Sequence, residues 1–150
     1  MKSSGTRLVR LIYASDKTQA CRLSDMPEML KRARLHNGAA SISGLLCFSR
    51  DRFLQCIEGE PEIVNALYAR ILKDPRHARV TLIDYREVSQ RFFGQWSMGY
   101  LFELDREAAL FQKYFSDGEF FPHLLNGTAA LDLLKGLSRT KGESRPECAL

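Results

Sequence analysis

Two short apolar runs separated by a polar turn are the feature that most constrains how this chain folds. Residues 42–48 read Ile-Ser-Gly-Leu-Leu-Cys-Phe, residues 52–57 read Arg-Phe-Leu-Gln-Cys-Ile, and Ser49-Arg50-Asp51 lies between them. Each run has the length and apolar content of a strand, and so short a polar connection is typical of a hairpin. The sequence therefore predicts a β-hairpin near its centre.

Each side of the hairpin carries a predicted helix. The first can be capped by Ser24 or Asp25 and ends at Asn37-Gly38, since glycine suits a left-handed C-terminal turn. Its apolar residues recur at roughly helical spacing: Met26, Met29, Leu30, Ala33 and Leu35. The second helix begins near Pro61 and is stopped by Asp74-Pro75. Its apolar stripe is stronger: Ile63, Val64, Leu67, Tyr68, Ile71 and Leu72.

Three further runs complete a predicted sheet, at residues 8–13, 80–85 and 96–102. The resulting order, strand–helix–strand–strand–helix–strand–strand, contains the split βαβ repeat of ferredoxin-like folds. The sequence thus predicts an α+β fold: a ferredoxin-like mixed five-stranded sheet (βαββαββ) with two helices on one face.

The C-terminal residues are expected to cover the second face of that sheet. Residues 108–115 and 126–137 have helical apolar patterns, and from Ser138 the chain is polar and basic. We therefore expect a main domain over 1–104, a helical cap over 105–137 and a disordered tail over 138–150.

The composition favours one domain with a proper core, since the chain has 150 residues, 45% of them hydrophobic, and a net charge of +4. The densest basic cluster, Lys31-Arg32-Ala33-Arg34, is expected on the solvated face of a helix and not in a nucleic-acid footprint. No apolar run approaches the ~18 residues of a membrane span, and residues 1–7 lack the apolar core of a signal peptide. Neither nucleic acid nor a membrane is an expected partner.

The cysteines and histidines argue against a disulfide framework or a metal site. Cys47 and Cys56 lie in strand-like runs, and no CxxC pair is present. Reduced, buried cysteines favour a cytoplasmic protein. His36, His77 and His123 have no metal-ligand spacing with the cysteines or with each other, so no metal is expected.

Common catalytic motifs are missing from the sequence. It contains no GxGxxG, GxxxxGK[ST], GxSxG or HExxH. Asp74 and His77 could form a catalytic pair, but a helix-end turn is the favoured interpretation. An acylphosphatase-like hydrolase shares the ferredoxin-like architecture, yet its glycine-rich oxyanion loop after the first strand is lacking.

Four polar-tipped side chains, Tyr13, Asn37, Gln55 and Trp96, stand in apolar surroundings. A buried hydroxyl or carboxamide costs roughly 1–3 kcal/mol if its hydrogen bonds are unmade. Each has an ordinary structural explanation: a tyrosine hydroxyl in solvent, a helix-capping asparagine, a glutamine on an edge strand, a tryptophan in the core. A bound ligand would explain all of them together.

At these residues the sequence resembles the BLUF family of blue-light sensors, which use flavin adenine dinucleotide (FAD). The resemblance extends in order over about residues 7–103. Ser43, where the family commonly has threonine, and Ala33, where some members have serine, depart from the pattern. The matching segments are Tyr13, Asn37, Ile42-Ser43-Gly44-Leu45-Leu46, Phe53-Leu54-Gln55-Cys56-Ile57-Glu58-Gly59, Asp74-Pro75-Arg76-His77 and Arg91-Phe92-Phe93-Gly94-Gln95-Trp96-Ser97-Met98-Gly99.

The resemblance implies a flavin ring between the two helices, with Leu35 and Ile71 as apolar walls. Asn37 would bind the pyrimidine edge of the ring, because an amide offers both a donor and an acceptor. The other implied contacts are His36, Arg70 and Asp74 near that edge, and Arg32 and Arg76 at the ribityl or phosphate end.

The resemblance also implies a photochemical pair, Tyr13 and Gln55, with Gln55 between the flavin and the phenol. Rotation or tautomerisation of the Gln55 amide would reverse its hydrogen bonds. Trp96 and Met98 lie two residues apart, so on a regular strand they would share a face and relay the change to the helices after Leu104.

The implied protein is a photoreceptor and not an enzyme, acting on a partner in trans and self-associating as a homo-oligomer. By family analogy alone, the partner is a cyclic-dinucleotide phosphodiesterase or a response-regulator-like protein. The alternative is a small flavin-dependent or acylphosphatase-like enzyme, which would turn over a substrate.

Overall fold

The computed structural model describes residues 7–102 and 108–140, and within them a mixed five-stranded sheet. Its strands are β1 (Leu8–Lys17), β2 (Ser43–Ser49), β3 (Arg52–Gly59), β4 (His77–Val88) and β5 (Gly99–Phe102). They are ordered β4-β1-β3-β2-β5, with β2 and β5 parallel and the other neighbours antiparallel. The predicted fold class is confirmed.

The predicted hairpin joins β2 to β3. Phe48 pairs with Phe53 and Ser49 with Arg52, which leaves Arg50 and Asp51 as the turn. Both turn residues have positive φ, 55° and 61°, as the tight primed hairpin turns require. On the other side of β3, Tyr13 of β1 stands directly opposite Gln55, so the sheet register itself brings this pair together.

Within the described residues, four helices accompany the sheet: α1 (Met26–Ala39), α2 (Pro61–Lys73), α3 (Ala108–Tyr114) and α4 (Gly127–Thr140). Single 3-10 turns occur at Leu23–Asp25 and Pro122–Leu124. Asp25 precedes α1 as its N-cap residue without a side-chain capping bond. Asn37 is a buried residue inside α1 and does not cap its end. No helix in the described part of the chain is long and apolar enough to cross a bilayer.

The strands alternate between two packed faces. On the α1/α2 face, Tyr13 and Ile57 pack with Val64 of α2, and Phe53 packs with Leu30 of α1. On the α3/α4 face, the alternate residues of the same strands, such as Ile12, Leu54 and Cys56, pack against both C-terminal helices. From α4 the fully buried contributors are Ala130, Leu133, Leu134 and Leu137.

Several element boundaries differ from the prediction. β1 continues to Lys17, and β4 extends over His77–Val88. The last strand begins at Gly99, so residues 96–98 belong to a loop. α4 includes Ser138–Thr140, part of the expected tail. The expected boundary near 104 and the tail over 141–150 lie outside the described residues.

Candidate functional site

A cavity of about 600 Å³ lies on the α1/α2 face and is lined by residues of both helices and of the sheet beneath them. This volume is within the range of small-molecule and cofactor sites. The sheet contributes Tyr13 from β1, Leu46 from β2, and Phe53 and Gln55 from β3. Met98, in the loop before β5, closes the same surface.

Helix α1 lines the cavity with residues three or four positions apart, as a helix face requires. These are Met26, Met29, Leu30, Ala33 and Asn37, with Arg32 and His36 beside them. The prediction that Leu35 forms an apolar wall of the site is wrong, because Leu35 is 70% exposed and does not line the cavity. It lies nine residues after Met26, which at 3.6 residues per turn places it half a turn away from the lining face.

Helix α2 and the residues that follow it form the other wall. Leu67, Arg70 and Ile71 line the cavity, followed by Asp74 and Arg76. Each residue predicted to contact the flavin, Leu35 excepted, is thus brought to one cavity. These contacts are Tyr13, Arg32, His36, Asn37, Gln55, Arg70, Ile71, Asp74 and Arg76.

Two polar contacts organise the walls. Nη2 of Arg70 lies 2.9 Å from Nε2 of His36, which joins α2 to α1. Nε of Arg76 donates to Oδ1 of Asp74 at 2.9 Å, and this hydrogen bond is the main reason that the pKa of Asp74 is lowered. Asp74 therefore carries a negative charge that Arg76 already balances.

A chain of three side chains runs from the sheet into the loop. Oη of Tyr13 donates a hydrogen bond to Oε1 of Gln55, and Nε2 of Gln55 donates to Sδ of Met98 at 3.2 Å. Burial raises the pKa of Tyr13 well above its usual value, with Tyr68 and Asp74 adding smaller contributions in the same direction. The phenol is therefore neutral and a hydrogen-bond donor.

Trp96 and Met98 lie on opposite sides of the sheet, so the prediction that they share a face is wrong. Trp96 stacks on Phe93, with ring centroids 6.3 Å apart, and belongs to the core under α3 and α4. Met98 lies in the cavity beside Gln55. The reason is that strand alternation does not apply before Gly99, where β5 begins.

Helix α1 also binds the backbone of residues 97 and 98 through two side-chain hydrogen bonds. Nδ2 of Asn37 donates to the carbonyl of Ser97 at 3.1 Å, and Nε of Arg34 donates to the carbonyl of Met98 at 2.9 Å. One N–H of the Asn37 amide is thus committed to the protein, while an amide offers a second N–H and an acceptor oxygen.

His77 also lines the cavity, although no contact with the flavin is predicted for it from the sequence. Its Nδ1 lies 2.8 Å from Oγ of Ser15, and its ring approaches those of Tyr13 and Phe53 at 6.2 and 5.0 Å. Burial is the main cause of its lowered pKa, so the ring is neutral near pH 7. Its place in the Asp-Pro-Arg-His motif was the available signal.

The donor set fits a flavin ring. The lining combines apolar side chains with the two buried amides of Asn37 and Gln55, which suits a flat heterocycle with an imide edge. Among the described residues, no group of three or more His, Cys, Asp and Glu side chains could hold a metal ion.

The chain matches the family model described as sensors of blue light using FAD (BLUF) over residues 8–99, and it belongs to this family. The predicted family, the FAD cofactor and the function as a blue-light sensor are thereby confirmed. The domain over residues 8–99 is a sensor and not an enzyme.

Individual relatives agree with this membership. The beta subunit of photoactivated adenylate cyclase from Euglena longa is 36% identical over 98 residues, which are 64% of this chain and 11% of that relative. The chain thus spans about a ninth of the length of this curated relative. The structure of BlsA in its photo-activated state has a TM-score of 0.79 at 32% identity, covering 87% of this chain and 94% of that chain. The dark-state structure of BlrB, a BLUF protein, has a TM-score of 0.74 at 25% identity, covering 91% and 98%.

Proposed function

We propose that this chain is a blue-light photoreceptor whose switch is the hydrogen-bond chain Tyr13–Gln55–Met98. The single observation that supports it most directly is that Gln55 accepts from Tyr13 and donates to Met98 at the edge of the cavity. Because an amide has a donor end and an acceptor end, this chain has two arrangements related by reversal of one side chain.

In this proposal the cavity holds the flavin ring of FAD. Asn37 orients the pyrimidine edge, with His36, Arg70 and Asp74 around it, and Ile71 with the α1 side chains covers the ring. Arg32 and Arg76 take the ribityl or phosphate end. The bound flavin, excited by blue light, supplies a strong oxidant.

In the switch, the protein moves one proton and retains the rearranged hydrogen bonds of Gln55. The excited flavin would be the oxidant that takes an electron from Tyr13. The proton on Oη of Tyr13 would pass to Oε1 of Gln55, and the electron and the proton would both later return to Tyr13. The Gln55 amide rotates or tautomerises in between, so that its end toward Met98 changes from donor to acceptor. Since Sδ of a thioether has no proton to give, the contact with Met98 is lost in the new arrangement. No covalent bond to the cofactor forms.

The signal then passes through the loop that carries Met98 and Trp96, and through β5, to α3 and α4. We place the output in a partner protein in trans and expect homo-oligomers to form through the sheet edge or the cap helices. A cyclic-dinucleotide phosphodiesterase is one such partner class, since a related structure is that of Klebsiella pneumoniae BlrP1 with manganese and cyclic diGMP, at a TM-score of 0.60 and 26% identity over 85% of this chain and 28% of that chain. A response-regulator-like protein is the other.

The buried free thiols of Cys21, Cys47 and Cys56 favour a reducing, cytoplasmic environment.

The test is an absorption spectrum of the purified yellow protein before and after blue light. We expect a small, reversible red shift of the flavin bands that decays in the dark. Tyr13→Phe removes the proton and the electron source but keeps the ring, so the flavin should stay bound and the shift should vanish. Tyr85→Phe, on a tyrosine that is 40% exposed, is the matched control and should behave as the wild type. A shift that survives in Tyr13→Phe would show that Tyr13 does not have this role.

The output is tested by comparing light and dark samples. Size-exclusion chromatography under illumination and in darkness measures the oligomeric state of the chain. A pull-down in light and dark identifies a partner whose binding depends on the switch. Identical elution and identical binding in both conditions would contradict the proposed output.

A further inference from the structure

The loop over residues 89–98 carries both Trp96 and Met98, and it has no regular structure of its own. The contacts that hold the loop in place therefore determine the position of Met98 relative to Gln55. Its backbone is bound near the C-terminal end by Asn37 and Arg34, as described above, and by Gly44, whose N–H donates to the carbonyl of Trp96 at 3.2 Å. Its beginning is bound by a different residue, Glu58.

Glu58 lies on β3, three residues after Gln55, and its side chain is completely buried on the α3/α4 face. Oε2 accepts from the backbone N–H of Phe92 at 2.8 Å and from Nε of Arg10 at 3.1 Å. Oε1 accepts from the backbone N–H of Phe93 at 3.0 Å and from Oγ of Ser43 at 3.0 Å. Two consecutive backbone N–H groups of the loop thus donate hydrogen bonds to one carboxylate.

The chemistry of this contact requires a carboxylate. An ionised carboxylate offers about four acceptor positions and no donor, and here four donors surround it. A glutamine would turn an NH₂ group toward two of these donors, and an aspartate would be one methylene too short. The cation of Arg10, which is 4% exposed, balances the buried charge.

Neighbouring residues reinforce the same anchor. Nη1 of Arg91 donates to Oγ of Ser43 at 2.9 Å and to the carbonyl of Glu58 at 3.2 Å, and Nη2 donates to the carbonyl of Ser41 at 2.8 Å. The beginning of the loop is therefore fastened to both strands of the central hairpin. Glu58 does not line the cavity, so any effect it has on the switch is indirect, through the loop or through β3.

We propose that Glu58 is a positioning residue of the photoswitch: its carboxylate holds the 89–98 loop so that Met98 stays against Gln55 and cannot follow the rearranged amide. This inference rests on the proposed function. When Gln55 reverses, its contact with Met98 is lost, and a loop that is free to move would relax around the new arrangement. A fixed loop leaves the new arrangement less stable and thus shortens its lifetime.

The test compares a charge-neutral double variant, Arg10→Gln with Glu58→Gln, against Gln95→Ala. The double variant is chosen because removing Glu58 alone would leave Arg10 buried without its partner, which is strongly destabilising. Gln95 is an exposed residue of the same loop and serves as the matched control. Ser43→Ala, which removes one donor to Glu58 and one acceptor of Arg91, is a milder second variant. It leaves in place the contact of Nη2 of Arg10 with the carbonyl of Gln90, which the double variant removes.

Two readouts are measured on the full chain with its flavin. The first is the rate at which the light-induced shift recovers in the dark; we expect recovery about tenfold slower in the double variant and about threefold slower in Ser43→Ala. The second is fluorescence of the single tryptophan in the dark, which reports the loop because Trp96 is 7% exposed. Acrylamide quenching of Trp96 should increase in both variants and stay unchanged in Gln95→Ala.

Recovery within twofold of the wild type in every folded variant would overturn the proposal, even if quenching increased. So would unchanged quenching in the double variant. If the double variant does not fold, Ser43→Ala decides by the same two readouts. If the wild type shows no light-induced shift, the proposed function fails, whereas the quenching data still show whether Glu58 positions the loop.

Discussion

Gln55 connects two side chains of different chemistry. It accepts from the phenol of Tyr13, which burial keeps protonated, and it donates to a thioether sulfur, which is a weak acceptor. Little free energy therefore holds the nitrogen end in place, while the oxygen end accepts from an ordinary O–H donor, the phenol. A side chain held unequally at its two ends can be reversed without disturbing the strand that carries it.

The raised pKa of Tyr13 leads to a pH prediction. A phenol is neutral below its pKa, so a raised pKa moves its ionisation to higher pH. The light-induced shift should therefore keep its amplitude from neutral pH up to about 10, where an ordinary tyrosine is half ionised. Spectra recorded before and after illumination across this range provide the measurement. An amplitude that declines with a midpoint at or below 10 would contradict the buried, neutral Tyr13.

Helix α1 shows how one helix separates cavity residues from solvent residues. Leu30 is 4% exposed and lines the cavity, whereas Leu35, on the opposite side, is 70% exposed. Leu30→Ala should lower the free energy of unfolding by about 2–5 kcal/mol and weaken flavin binding, because it leaves a void beside the ring site. Leu35→Ala, the matched control, should change stability by less than about 0.5 kcal/mol. Urea unfolding and flavin titration measure both, and equal losses would show that the helix is rotated.

The 89–98 loop contacts the C-terminal helix through Phe92. Two cations lie over its ring, Arg10 at 4.4 Å and Lys135 of α4 at 4.3 Å from the centroid. Lys135→Gln removes one cation–π contact, worth about 0.5–1 kcal/mol at an exposed site. We expect an unchanged spectral shift but a smaller light-induced change in amide hydrogen exchange of α4. Lys113→Gln on α3 is the control, and an undiminished response of α4 in Lys135→Gln would rule out this route.

In the molecule as a whole, one face of the sheet lines the cavity and the other packs against the C-terminal helices, and the same strands contribute to both. On β3, Phe53, Gln55 and Ile57 face the helices around the cavity, and Leu54 and Cys56 face the C-terminal helices. A change at Gln55 therefore cannot reach α3 and α4 by direct contact. It must move the strand or the 89–98 loop, and the loop is the part that touches both sides, through Met98 and Trp96.

Two partly buried histidines predict that acid destabilises the fold. Burial is the main cause of the lowered pKa of His77 and of His123, and Asp16, whose Oδ1 lies 3.2 Å from Nε2 of His123, opposes the shift of His123 without reversing it. The unfolded chain then binds protons more readily than the folded one, so stability is full above about pH 6.5 and falls as the pH drops below it. Urea midpoints measured on either side of about pH 6.5 test this. His123→Leu should reduce the loss, and a midpoint that rises toward acid would contradict it.

Most elements could be predicted because their signals are local. The hairpin, the start of α2 at Pro61 and its end before Asp74 follow from turn residues and helical spacing within a few positions. The inward face of the first helix could not be predicted correctly from spacing alone. Leu35 was included among its apolar residues, but which side of α1 faces the cavity depends on the elements that α1 packs against. The last strand was placed too early because its start at Gly99 is decided by pairing with Leu45 of β2.

The sequence by itself determined the order of the elements and the chemistry available at Tyr13, Asn37 and Gln55, because periodicity and side-chain type are properties of short segments. Only the tertiary structure decided that Met98 faces the cavity while Trp96 faces the C-terminal helices, and that the carboxylate of Glu58 binds the loop between them. Those outcomes depend on contacts between segments far apart in the chain, whose free energies no local pattern contains.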